Sequence, residues 1–146
     1  MTPLEPIPTF GEAERLLAEA EVLNPGPWVQ HSRVAAQAAC SIAAHLPGLD
    51  AEAAAVLGLL HDIGRRSGVS GMRHIFDGYD YLLILGYPGA ARICLTHSFP
   101  LPDLHAFLGA WDVSPQQIDF IQAYLAGVQH DRYDQYAEHL HNSLHV

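Results

Sequence analysis

From Ala51 to Leu60 the chain reads Ala-Glu-Ala-Ala-Ala-Val-Leu-Gly-Leu-Leu, preceded by Asp50, a favourable helix N-cap. A run so continuously apolar, with small side chains through its first half, specifies a helix buried on most sides. It leads directly into His61, Asp62, Ile63 and Gly64, with Gly64 expected to stop the helix. Two polar residues of metal-ligand type therefore stand at the end of a buried helix. A buried carboxylate costs roughly several kcal/mol unless a cation compensates it. That cation is either a metal or a nearby guanidinium such as Arg65 or Arg66.

The flanking sequence supplies further helices. Thr9 and Glu12 form a capping-box pair ahead of Leu16, Leu17, Ala20 and Leu23, and Asn24-Pro25-Gly26-Pro27 ends that helix. Val34, Ala35, Ala38, Ala39, Ile42 and Ala43 trace a second helical stripe, closed by Pro47-Gly48. A third segment, Met72 to Leu85, places Ile75, Tyr79, Leu82 and Leu83 on one face, with Gly86 after it. Pro88 opens a helix to about Thr96, and residues 98–113 read as loop with one short helical turn. Ser114-Pro115-Gln116-Gln117 starts another helix to about Ala126, and a last one is expected from Asp131. Alternating β-branched segments and internal repeats are absent from the sequence, so the expected fold class is all-α, a compact helical bundle. At 146 residues, residues 1–146 are expected to form a single domain.

Sixteen acidic residues oppose seven basic ones, all arginine, for a formal charge of −9. General binding to a nucleic-acid backbone is not expected from such a chain. A few arginines and a bound metal can still reverse the potential within one cleft, and Arg65, Arg66, Arg73 and Arg92 share one stretch. Scattered surface charge is the alternative for them. The sequence has no apolar run near the ~20 residues that span a bilayer and no secretory leader pattern, so a cytoplasmic protein without membrane attachment is expected. Cys40 and Cys94 read as small buried thiols in a reducing compartment.

Ten histidines are present, and neutral imidazole is a common ligand for divalent transition metals. Their context is more informative than their number. His31-Ser32 with Val34-Ala35, then Leu-Leu-His61-Asp62-Ile-Gly, then Met72-Arg-His74-Ile-Phe-Asp77-Gly, then Ile93-Cys-Leu-Thr-His97-Ser98-Phe-Pro follow one another in order. Over roughly residues 28–136 this pattern resembles the HD superfamily of metal-dependent phosphohydrolases, in particular small bacterial HD-domain proteins.

The resemblance implies a helical bundle of the HD-domain type in which His31, His61 and Asp62 bind a divalent transition metal: Mn, Fe, Ni, Co or Zn. It also implies catalytic parts for Asp62, His74 and His97, the two histidines binding a second metal or contacting phosphate. Each is otherwise a hydrogen-bonded structural residue. Asp77, three residues after His74, is a candidate acceptor to orient its imidazole. Arg65 and Arg66 are candidate substrate-binding residues for phosphate oxygens, or solvated surface residues. The implied activity is hydrolysis of a nucleotide or other small phosphate ester, the implied partner being that small phosphorylated molecule; the oligomeric state is not readable.

The sequence departs from the family pattern at its end. Tyr133-Asp134 matches the start of the final motif, but the metal-binding Asp expected seven residues on is His141. Asp134 cannot replace it, since seven helical residues span about 10 Å. Either His141 is an unusual nitrogen ligand, or a divergent or truncated C-terminal end has left the site without its fourth protein ligand. A catalytically impaired ligand-binding or sensor module is therefore the alternative function, and a structural helical protein with a buried His-Asp ion pair is a third.

Overall fold

The computed structural model describes residues 5–128, all of whose regular elements are helical. Helix α1 spans Phe10–Leu23, α2 Pro27–Ala43, α3 Ala51–Leu60, α4 Arg73–Ile84, α5 Pro88–Thr96 and α6 Pro115–Ala126. Two 3₁₀ turns, Ile63–Ser67 and Leu104–Ala106, lie in the connections. The helix expected from Asp131 lies outside the described residues.

Local chemistry starts and stops these helices as the sequence suggests. The Thr9 hydroxyl accepts from the Glu12 amide, the Asp50 carboxylate from the Ala53 amide, and Ser114 and Gln117 form a complete capping box. Gly86 takes a left-handed φ of 85°, and the Tyr87 amide then reaches back to the Leu82 carbonyl to close α4. The amide ends of α4 are satisfied from outside: the Asp112 carboxylate accepts from the Gly71 and Arg73 amides at 2.8 and 2.9 Å.

Helix α3 is the axis of the fold, with every residue from Ala54 to Leu60 buried. Helix α2 packs along it through small residues. A Cβ on Gly58 would fall 2.6 Å from the Ala36 Cα, so the two backbones touch where larger residues would hold them apart. Helix α1 covers α3 with Ala13, Leu16, Leu17 and Ala20, each buried leucine contributing about 2 kcal/mol. A second apolar cluster joins Met72, Ile75, Phe76, Leu95 and Phe99 to Ile121 and Leu125 of α6, and Tyr79 packs against both clusters.

Three details differ from the sequence reading. Leu23, Val34 and Leu83 are 59, 52 and 40% exposed; on α2 the buried residues are instead Val29, Ser32, Ala35, Ala36, Ala39 and Ala43. Close approach to α3 selects the alanine face over the bulkier Val34. Gly64 does not stop α3, which ends four residues earlier. It lies within the first 3₁₀ turn, where a Cβ would fall 1.9 Å from the His74 carbonyl oxygen and 2.6 Å from the Gly78 nitrogen. Its missing side chain lets this turn lie directly on α4. Cys94 is buried as expected, whereas Cys40 is partly exposed.

Candidate metal centre

The end of α3 places His61 and Asp62 on a bend rather than on continuing helix: His61 retains helical angles and Asp62 turns to φ −106°, ψ 15°. The bend aims adjacent side chains, which on a helix diverge by ~100°, at the same space. His31 comes from the opening turns of α2, its ring centroid 5.1 Å from that of His61. His74 projects from the first turn of α4, and His97 is the C-cap of α5.

Three of these imidazoles are oriented by backbone carbonyls. His61 Nδ1 lies 2.7 Å from the Gly58 oxygen, His74 Nδ1 2.7 Å from that of Gly71, and His97 Nδ1 2.9 Å from that of Cys94. A carbonyl only accepts, so each Nδ1 carries a proton and each ring turns its Nε2 inward. The Nε2 atoms of His74 and His97 are 3.1 Å apart, and each is 3.1 Å from Asp62 Oδ1. On the other side, Asp62 Oδ2 lies 3.5 Å from His61 Nε2 and 3.3 Å from Arg65 Nε.

Asp62 thus joins two triads whose ligand atoms fall within 4.8 Å of one another: His31, His61 and Asp62, and Asp62, His74 and His97. Metal–ligand bonds of about 2.0–2.2 Å put neighbouring ligand atoms roughly 3.0–3.5 Å apart, which the second triad matches. Two lone-pair nitrogens and a carboxylate oxygen at 3.1 Å repel one another unless a cation or proton lies among them. Arg65 meets only one Asp62 oxygen and leaves that convergence unaccounted for. The donor set therefore fits a divalent transition metal.

The electrostatics agree. Burial pushes the Asp62 carboxyl up, but the surrounding imidazoles, His61 foremost, outweigh it and hold the group well below the usual carboxylate range. Burial brings His97 down to about 4 against the opposing pull of Asp62, so its ring is neutral at physiological pH. His31 is also lowered, by burial and then by His61. A neutral His97 ring beside an ionised Asp62 carboxylate matches the ligand states a metal requires.

Beside Asp62 opens a cleft of about 590 Å³. His31, Asp62, Arg65, His97 and Ser98 form its polar side, and Pro27, Trp28, Pro100, Ala106, Phe107 and Leu108 its apolar side. Asn24 organises one edge, donating from Nδ2 to the Arg65 carbonyl at 2.6 Å while its own carbonyl accepts from Trp28 Nε1 at 2.8 Å.

Other candidates lie elsewhere. Arg66 stacks over the Tyr81 ring at 4.0 Å and does not line the cleft. Asp77 pairs with Arg73 at 3.1 Å and does not orient His74, whose Nδ1 is held by Gly71. Arg92 pairs with Glu5 at 3.2 Å. His141 lies outside the described residues. Sequence reasoning overlooked Asn24, Ser98, Phe107 and Leu108 as parts of the site. Asn24 carried only a helix-breaking signal, and the others sit in loop, where periodicity says nothing.

No helix among the described residues is long and apolar enough to cross a membrane. None of the curated proteins and none of the solved structures matches the chain. The family model for the HD domain matches residues 28–137, a span carrying every residue of both triads and both walls of the cleft except Pro27. The chain belongs to the HD domain family.

Proposed function

We propose that the protein is a metal-dependent phosphohydrolase acting on a small phosphate ester such as a nucleotide. The observation that carries this reading is the convergence of three Nε2 atoms on the two oxygens of one buried aspartate at the floor of an open cleft. His31, His61 and Asp62 would hold one divalent metal, and His74 and His97 with Asp62 a second or the phosphoryl group itself. His141 is proposed as a further ligand from its place in the sequence. Such a metal supplies Lewis-acid charge that acidifies water and polarises a phosphoryl oxygen.

The chain's own residues divide the remaining work. Asp62 keeps an ionised carboxylate in a low-dielectric setting, where it accepts a proton from an attacking water. Arg65 stands 3.3 Å from that carboxylate, 31% exposed at its side chain, and can turn to a phosphoryl oxygen. His74 and His97 would act on the transferring group through the cation they help to hold, whose charge offsets that of the phosphoryl oxygens. Arg66 is engaged with Tyr81 outside the cleft lining, so the phosphate contact is assigned to Arg65.

The test is phosphate release from a panel of phosphomonoesters by the full chain loaded in turn with Mn, Fe, Co, Ni or Zn, compared with Asp62→Asn. Turnover that falls at least about 100-fold in the variant supports the proposal. Equal release by both proteins, or none with any metal, refutes it.

A further inference from the structure

Building on the hydrolase reading and narrowing its substrate class away from nucleotides, we propose that the cleft selects a singly phosphorylated ester whose alcohol part is apolar and flat, held against Trp28, Phe107 and Leu108. The two sides of the cleft differ sharply in chemistry. Of its polar lining residues, His31, Asp62, Arg65 and His97 belong to the metal end, leaving Ser98 as the one polar side chain for the rest of a substrate among the described residues. A sugar or polyol buried there would lose water from several hydroxyls and regain few hydrogen bonds. An aromatic or aliphatic group loses nothing of that kind and covers apolar surface.

Charge limits the ligand in the same direction. Arg65 is the one cationic side chain lining the cleft among the described residues, and it already faces Asp62. Arg66 is held on Tyr81 and Arg92 by Glu5. A second phosphoryl group at the far end would meet apolar walls in a chain of net charge −9. The rim also invites cover: Leu108 is 95% exposed beside Phe107, an arrangement that leaves apolar surface in water until a ligand lies on it.

Non-hydrolysable phosphonates separate this selectivity from turnover. Isothermal titration of the full chain in the presence of Mn²⁺ would compare 3-phenylpropylphosphonate with propylphosphonate, with 2,3-dihydroxypropylphosphonate, and with an analogue bearing a second phosphonate on the ring. The expected result is binding of the phenyl ligand at least ten-fold tighter than each of the others, with the ratio to propylphosphonate falling at least three-fold in Leu108→Ser and in Trp28→Leu. Leu108→Ser is decisive should Trp28→Leu weaken the fold, because so exposed a side chain supports no core. A preference below ten-fold, tighter binding of the dihydroxy or doubly charged ligand, or an unchanged ratio in Leu108→Ser overturns the proposal. Retained selectivity without hydrolysis of any ester would refute the hydrolase reading alone and leave a binding site for such monoesters.

Discussion

Replacing Gly64 by alanine adds one methyl group at the point where the turn after α3 lies on α4, and the structure fixes what that methyl meets. The new Cβ would sit 1.9 Å from the His74 carbonyl oxygen, whereas real Cβ atoms essentially never come within 3.0 Å. The turn and α4 must separate by about 1.1 Å. Both partners are backbone, so no rotamer change can relieve the contact, and the cost should reach or exceed the upper end of the usual overpacking range, about 3 kcal/mol. At roughly 3 °C per kcal/mol for a chain of this length, the melting temperature should fall by ~10 °C. The same displacement would widen the 3.1 Å gap between His74 Nε2 and Asp62 Oδ1 to roughly 4 Å, outside the roughly 3.0–3.5 Å that separates neighbouring ligands on one ion. Calorimetric melting with elemental analysis of bound metal tests both effects. Gly11→Ala is the control, since nothing lies within 4 Å of a Cβ there. A Gly64→Ala protein that melts within about 2 °C of the parent and holds the same metal would refute the claim that this contact sets the site.

Chelation should lower the melting temperature of the metal-loaded parent, by about 2.7 kcal/mol of lost stabilisation if metal had been present at 100 times its Kd, and shift His61→Ala by less. An equal response of the two proteins in scanning calorimetry would count against a site at His61. Asp112→Asn should cost less than about 1 kcal/mol after solvent screening, because it weakens an exposed cap on α4. The Asp112 carboxyl is lowered by the Gly71 and Arg73 amides, so its contribution is present above its ordinary value of 3.8 and lost as pH falls through the lower folded value. Denaturation of both proteins across pH 2–6, compared point by point, checks that sign. His141→Asp restores the residue type the family pattern leads one to expect, and a gain of ten-fold or more in phosphate release would identify the parent as an impaired enzyme. Without such a gain, His141 is itself a competent ligand or the position contributes none.

The helices were legible where local rules act alone. Capping residues, first-turn prolines and Gly86 placed their boundaries to within a few residues, and the apolar run from Ala51 to Leu60 announced a buried axis. The faces were less legible. Val34 is as hydrophobic as any core residue, yet it points outward because Ala36 and Gly58 draw α2 onto α3 by another side. Gly64 shows the same limit, since a glycine needed for a distant backbone contact looks in sequence like one that ends a helix. His61, Asp62, His74 and His97 were legible through their family pattern, and His31 with them. The tautomers that aim three of these rings depend on carbonyls of Gly58, Gly71 and Cys94, which no side-chain pattern encodes. The cleft's apolar wall lies mostly in loop, where composition carries no directional signal.

The touching backbones of Ala36 and Gly58 have a further meaning for how this protein can change. His31 lies five residues before Ala36 and His61 three after Gly58, so the separation of those two rings is gauged from a contact containing no large side chain. Exchanges among the bulky residues around it, such as Leu16 or Leu82, alter how tightly the bundle holds together before they alter that spacing. The spacing of His31 and His61 and the tightness of the apolar core around them are set by different atoms, and one can drift while the other stays put.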